Sequence, residues 1–74
     1  MKYIEELECG DTFSYKDNMY ILTSDFKSNG SKLCYSLVSG FPQWLNPDTI
    51  VYHEPIYILD SNNNTTPIKT TPKK

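Results

Sequence analysis

Residues 19–38 read MYILTSDFKSNGSKLCYSLV, two apolar runs separated by a polar loop. The loop contains Asn29-Gly30, a dipeptide that favours a two-residue hairpin turn because both residues tolerate positive φ. We therefore expect φ > 0 at Asn29 and at Gly30, with antiparallel pairing of the flanking strands. The centre of the first run, Tyr20-Ile21-Leu22, is apolar on both faces, which predicts a central strand.

Further β-type segments lie on both sides of this hairpin. They span residues 12–15, 41–45, 50–54 and 56–59, and turn signals such as Lys16-Asp17-Asn18 and Asn46-Pro47 separate them. Residues 2–9 are short enough for one helical turn or an edge strand packed on the core. Closely spaced short strands predict an all-β antiparallel meander. The compact solutions for about sixty residues are a small barrel or a highly bent sheet, and an OB-type barrel ranks lower because it needs more residues and a helix. We expect a small five- to six-stranded barrel, SH3-like in strand order, because closure removes exposed sheet edges.

Composition divides the chain in two. Residues 1–60 contain all ten aromatic residues, whereas residues 61–74 contain a single aliphatic one. We expect residues 1–60 to form one domain and residues 61–74 a polar, weakly ordered tail, with residues 66–69 as a candidate edge strand. Most of the aromatic side chains are expected in the core, because so short a chain needs large side chains to bury enough surface.

Charge is distributed unevenly along the chain. Residues 1–60 hold four Lys, no Arg and nine acidic residues, a net charge of −5, whereas residues 61–74 hold three Lys. A phosphate-binding surface needs clustered Lys or Arg, so the charge disfavours nucleic acid as a partner. The alternative left open is single-stranded nucleic-acid binding through an aromatic face, with the Lys-bearing tail as an electrostatic arm.

No arrangement of residues commits the chain to a reaction. His53 is the only histidine, and Cys9 and Cys34 are the only cysteines. No serine-hydrolase, zinc-protease or CxxC motif accompanies them. We expect no enzyme activity, no catalytic residue, no metal and no cofactor, and two free thiols. A catalytic His53, a small-ligand pocket, and a zinc site formed by these three residues remain as alternatives.

Four aromatic residues are candidates for a binding surface: Tyr15, Tyr20, Trp44 and Tyr52. SH3-type domains hold peptides in aromatic grooves, so we expect a binding module that contacts a protein partner or a second copy of itself. No apolar run reaches the length of a membrane span, and the first residues lack the pattern of a signal peptide. A cytoplasmic protein without membrane contact is therefore expected.

The run CGDTFSYKDNMYILTSDFKSNGSKLCYSLVSGFPQWLNPDT, residues 9–49, resembles short uncharacterised β-rich proteins of marine cyanobacterial tailed phages. The shared layout is a Gly-Asp-Thr-Phe opening, a Tyr-Ile-Leu strand, a Leu-Cys-Tyr-Ser-Leu strand, and Trp-Leu before a turn. The resemblance covers most of residues 8–60. It implies a phage accessory protein in the host cytoplasm, and it assigns no catalytic residue.

Overall fold

The computed structural model describes residues 1–67, which form eight strands and one 3₁₀ turn. The strands are β1 (Lys2–Tyr3), β2 (Thr12–Tyr15), β3 (Asn18–Phe26), β4 (Lys32–Ser36), β5 (Pro42–Leu45), β6 (Ile50–His53), β7 (Tyr57–Leu59) and β8 (Thr65–Pro67), and the 3₁₀ turn is Ile4–Glu6. The first six strands form one sheet in the order β1-β6-β2-β3-β4-β5, and β7 pairs with β8 separately. Every pairing is antiparallel, which confirms the all-β antiparallel prediction.

Strand β3 is central, because it pairs with β2 on one side and with β4 on the other. Its loop to β2 consists of Lys16 and Asp17, whose φ angles of 50° and 65° fit a type I′ hairpin turn. In its loop to β4, residues 27–31, Gly30 has a φ of 93° but Asn29 does not have positive φ. The prediction for Asn29 is therefore wrong. The longer loop reverses the chain with a single left-handed residue, which glycine supplies.

The core lies between the inner face of the sheet and the N-terminal segment. Its buried members are Ile4, Leu7, Phe13, Leu22, Cys34, Leu45 and Val51. Each of the strands β2 to β6 thus contributes one side chain. The N–H of Ile4 donates to the carbonyl of Thr49 at 2.9 Å, which holds the 3₁₀ turn against the loop between β5 and β6. Within residues 1–67 no ladder joins the edge strands β1 and β5 to close the sheet into a barrel.

Among residues 1–67, Phe13 is the one fully buried aromatic residue. Tyr15 and Tyr20 pack partly against the core. The exposed aromatic residues are Tyr3, Phe26, Tyr35, Phe41, Trp44, Tyr52 and Tyr57. The prediction that most aromatic side chains form the core is therefore wrong. Aliphatic side chains and Cys34 occupy the inner face instead, and this leaves most of the aromatic area on the surface.

Strands β7 and β8 form a hairpin outside the main sheet, which we call the arm (residues 57–67). Its paired residues are Tyr57 and Pro67, Ile58 and Thr66, and Leu59 and Thr65. The carboxylate of Asp60 closes its turn, since Oδ1 accepts the N–H of Asn62 at 2.8 Å and that of Asn64 at 2.9 Å. None of the arm residues is buried.

The arm occupies part of the predicted tail. Within the described residues, the strand near the predicted edge strand is Thr65–Pro67, and it pairs with β7 rather than with the main sheet. The remainder of that prediction, residues 68 and 69, lies outside the described residues, as does the rest of the tail to residue 74.

Candidate binding face

A second set of apolar side chains lies on the side of the sheet opposite the core. Residues paired across antiparallel strands share a face, and the faces alternate along each strand. Phe13 pairs with Tyr20 on the inner face, so the neighbouring pair of Ser14 and Met19 lies on the outer face. Tyr52 pairs with Ser14 and therefore lies on the outer face too.

The same alternation extends this surface to β1. Ile50 is two residues before Tyr52 on β6, so it shares the outer face, and it pairs with Tyr3 of β1. Its neighbour Val51 points into the core and is fully buried. Strands β1, β3 and β6 therefore place apolar side chains on one face of the sheet, around Ser14 of β2.

These side chains surround a cleft beside the turn between β2 and β3. The cleft has a volume of about 410 Å³ and is lined by Ser14, Tyr15, Lys16, Asp17, Met19, Ile50, Tyr52 and Glu54. Ile50 also lines a neighbouring hollow together with Tyr3 and Met1, so the two depressions share this side chain. We call four side chains of the outer face, Tyr3, Met19, Ile50 and Tyr52, the binding face, together with Tyr15, which lines the cleft at the end of β2 while packing partly against the core. The volume lies in the range of sites that admit a ligand or an anchoring side chain.

The binding face has an apolar floor and a charged rim. The side chains of Tyr3, Ile50 and Tyr52 remain 45%, 51% and 56% exposed. The rim residues are Lys16, Asp17 and Glu54, and all three are exposed. The Lys16 ammonium lies 5.3 Å from the centre of the Tyr15 ring, a distance at which the cation is attracted to the ring. An apolar centre with a polar rim is the usual anatomy of a protein–protein interface.

The structure brings two of the four predicted binding residues together. Tyr15 and Tyr52 line the same cleft. Tyr20 lies on the inner face, where its ring centre is 5.7 Å from that of Phe13 and 6.5 Å from that of Tyr15. Tyr20 therefore supports Tyr15 from the core side and does not line the cleft.

Trp44, the fourth predicted residue, lies on the edge strand β5 and not among the lining residues of the cleft. It pairs with Leu33 of β4, and it is 39% exposed. The Lys27 ammonium lies 4.5 Å from the centre of its ring. This cation–π contact covers part of the indole, so Trp44 belongs to a separate part of the surface.

Sequence reasoning missed Tyr3, Met19 and Ile50 as members of the binding face. Ile50 and Val51 are adjacent β-branched residues, and the sequence does not show which of them faces the core. Alternation along a strand shows that Ile50 and Val51 point to opposite faces of the sheet. The register of β6 against β1 and β2 decides which of the two faces the core. The detectable signal was an apolar residue directly before a core residue, Tyr3 before Ile4 and Ile50 before Val51.

The geometry gives little support to a catalytic or zinc-binding role for His53, Cys9 and Cys34. Cys9 and Cys34 are free thiols, one exposed and one buried. Burial raises the pKa of the Cys34 thiol from 9.0 to about 11, against a smaller opposing effect of Lys32, so this thiol is a poor nucleophile at neutral pH. His53 Nε2 lies 3.8 Å from Asp11 Oδ1. Within residues 1–67, no three His, Cys, Asp or Glu side chains are grouped to hold a metal ion.

Comparisons with protein-family models, with curated proteins and with solved structures found no match. In the part of the chain that the structure describes, no helix has the length and hydrophobicity needed to cross a membrane.

Proposed function

We propose that this protein is a small β-sheet binding module that acts by contact with a protein, through the binding face. The observation that carries the proposal is the exposure of Tyr3, Ile50 and Tyr52 around a cleft, on the side of the sheet that does not form the core. Isolated exposed apolar side chains are common, but a contiguous apolar patch is typical of an interaction site. Tyrosine is among the residues that contribute most to binding energy in interfaces.

We further propose that the main sheet is a partly open form of an SH3-like barrel, since within residues 1–67 no ladder joins the edge strands β1 and β5. Strands β2 to β5 form a meander, and β6 returns to pair with β2, which is the order expected for such a barrel. The five strands share one core cluster. In this arrangement the cleft lies beside the β2–β3 turn, and SH3-type domains bind extended peptides in aromatic grooves. The resemblance to cyanobacterial phage proteins extends the proposal to a phage accessory protein in the host cytoplasm.

Binding of single-stranded nucleic acid is the second candidate function, since exposed tyrosines can stack on bases. The charge around the cleft opposes it, because Asp17 and Glu54 outnumber Lys16 on the rim. The discriminating measurement is a titration of the full chain against labelled single-stranded DNA at low salt, where phosphate contacts are strongest. We expect no binding. Salt-sensitive binding that the Tyr52→Asp variant abolishes would favour nucleic acid over protein.

A comparison of two charged variants tests the protein-binding proposal. Tyr52→Asp places a carboxylate in the binding face, whereas Phe41→Asp places one at a position that is 73% exposed and does not line the cleft. Each variant and the wild-type chain serve as bait against host lysate and against a second copy of the wild-type chain.

We expect one contact, with a lysate protein or with a second copy, to survive Phe41→Asp and to weaken at least about tenfold in Tyr52→Asp, as for a hot-spot tyrosine. Circular dichroism confirms that both variants are folded. The proposal is wrong if every contact of the wild-type chain is equally strong in Tyr52→Asp.

A further inference from the structure

We infer that the partner of the binding face is the arm of a second copy of this chain, in a reciprocal two-fold dimer. The inference rests on the proposed binding function and names the partner of that same face. It starts from two exposed apolar surfaces within residues 1–67. One is the binding face, and the other is the arm.

One side of the arm is apolar and exposed. By the register of β7 and β8, Tyr57, Leu59 and Pro67 share one face of the hairpin, and Ile58 and Thr66 share the other. Tyr57 is 58% exposed and Leu59 is 66% exposed. A two-stranded hairpin without a packing partner is marginally stable in water. The turn that Asp60 closes makes the arm a preformed element that still needs a surface to pack on.

The arm leaves the binding face of its own chain uncovered. The N–H of Glu54 donates to the carbonyl of Thr12 at 3.1 Å, so the main sheet holds the chain up to this residue. Pro55 follows, and a residue before proline is restricted to extended conformations. Tyr3, Ile50 and Tyr52 remain exposed, and so does every residue of the arm. The arm of the same chain therefore does not cover the binding face, and the arm of another copy can.

Charge favours these two surfaces as the place where copies meet. Residues 1–67 hold four Lys and nine acidic residues, so two copies repel one another at long range. The binding face and the apolar side of the arm consist of uncharged residues throughout, as their sequence positions show. Contact through these uncharged side chains keeps the rim carboxylates of Asp17 and Glu54 out of the buried centre, where facing carboxylates would be destabilising.

The available area fits a reciprocal dimer better than a single contact. The exposed parts of Tyr3, Ile50 and Tyr52 amount to roughly 300 Å², and those of Tyr57 and Leu59 to roughly 250 Å², taking about 200 Å² for a whole side chain. One arm on one face thus buries roughly 550 Å² of apolar surface, and a two-fold dimer buries twice as much. With its polar rim, the doubled contact reaches the roughly 1,200 Å² at which stable interfaces begin.

Sedimentation velocity of the full chain over a wide concentration range tests the inference. We expect a concentration-dependent monomer–dimer equilibrium for the wild-type chain. Leu59→Asp charges the apolar side of the arm, and Tyr52→Asp charges the binding face. Each substitution removes two symmetry-related contacts from the dimer, so we expect the dissociation constant to rise at least about 100-fold in either variant.

Ile58→Asp is the matched control, because it places the same charge in the same strand on the opposite side of the arm. We expect this variant to dimerise like the wild-type chain. A chain that stays monomeric at every concentration overturns the inference, and so does a dimer that Leu59→Asp leaves intact or that both arm variants weaken equally. A dimer lost in Tyr52→Asp but kept in Leu59→Asp overturns the role of the arm while supporting the proposed function of the face.

Discussion

Replacement of Phe13 by leucine tests whether this one aromatic side chain dominates the core. Phe13 is fully buried, and its ring stacks on that of Tyr20 at 5.7 Å with an interplanar angle of 21°. Leucine keeps an apolar side chain but loses the aromatic contact, worth about 0.5–1.5 kcal/mol, and leaves part of the ring volume empty. We expect a loss of about 2 kcal/mol in the free energy of unfolding.

The expected loss is smaller than the total stability of a domain of this size, so the variant stays folded and the loss can be measured. At about 0.05–0.15 kcal/mol per residue, a chain of this length has roughly 4–11 kcal/mol of stability, and small domains lie at the lower end. Phe13→Ala, at about 3–5 kcal/mol, would risk unfolding it. The leucine variant stays folded, and its midpoint of thermal unfolding falls by about 8–16 °C.

Urea unfolding, followed by circular dichroism and by Trp44 emission, gives the free-energy difference. Phe41→Leu is the control, because Phe41 is 73% exposed and surface substitutions usually change stability by less than about 0.5 kcal/mol. Equal losses in the two variants would refute the assignment of Phe13 to the core and of Phe41 to the surface.

Two further predictions concern the hairpin loop and the thiols. Gly30→Ala is expected to lower the free energy of unfolding in urea by about 1–2 kcal/mol, because φ is 93° and a Cβ would lie 3.3 Å from Pro47 Cγ. Gly40→Ala is the control and should lower it less, because φ is 77° there and a Cβ would meet open space. A larger loss in Gly40→Ala than in Gly30→Ala would contradict this explanation. At pH 8 a thiol reagent is expected to modify Cys9 rapidly and Cys34 only on unfolding. Because the Cys34 pKa is raised from 9.0 to about 11, the unfolded thiol ionises first as pH rises between these values, so stability should fall there. A Cys34→Val variant with the same pH dependence would refute that cause.

Much of the main sheet could be predicted from the sequence, because local signals and alternation agree. Strands close to β2, β3, β4, β5 and β6 were all expected, and the centre of β3 was correctly placed between two neighbours. The type of the β3–β4 turn could not be predicted, because Asn29-Gly30 forms a two-residue turn only when the strand register leaves just these two residues in the loop. The two-residue turn lies instead at Lys16 and Asp17, where the register of β2 and β3 selects positive φ without glycine.

The binding face was predicted less well, for a physical reason. A period of two separates the residues of a strand into two sets, but it does not say which set faces the core. Tyr20 and Tyr52 were both expected on a binding surface, yet they lie on opposite faces because Phe13 pairs with Tyr20 and Ser14 pairs with Tyr52. Trp44 on β5 is separated from Tyr20 by one strand and from Tyr52 by three, a distance that the strand order shows and the sequence alone does not.

Dimerisation through the arm would also change how the stability of this domain has to be measured. Association that requires the folded state stabilises it by mass action, so the midpoint of thermal unfolding rises with protein concentration. A chain that leaves most of its aromatic area outside the core can recover that burial only in contact with a partner. The midpoint should therefore depend on concentration in the wild-type chain and in Ile58→Asp, and be nearly constant in Leu59→Asp. A midpoint that rises with concentration equally in both arm variants would show that the stabilising contact is elsewhere.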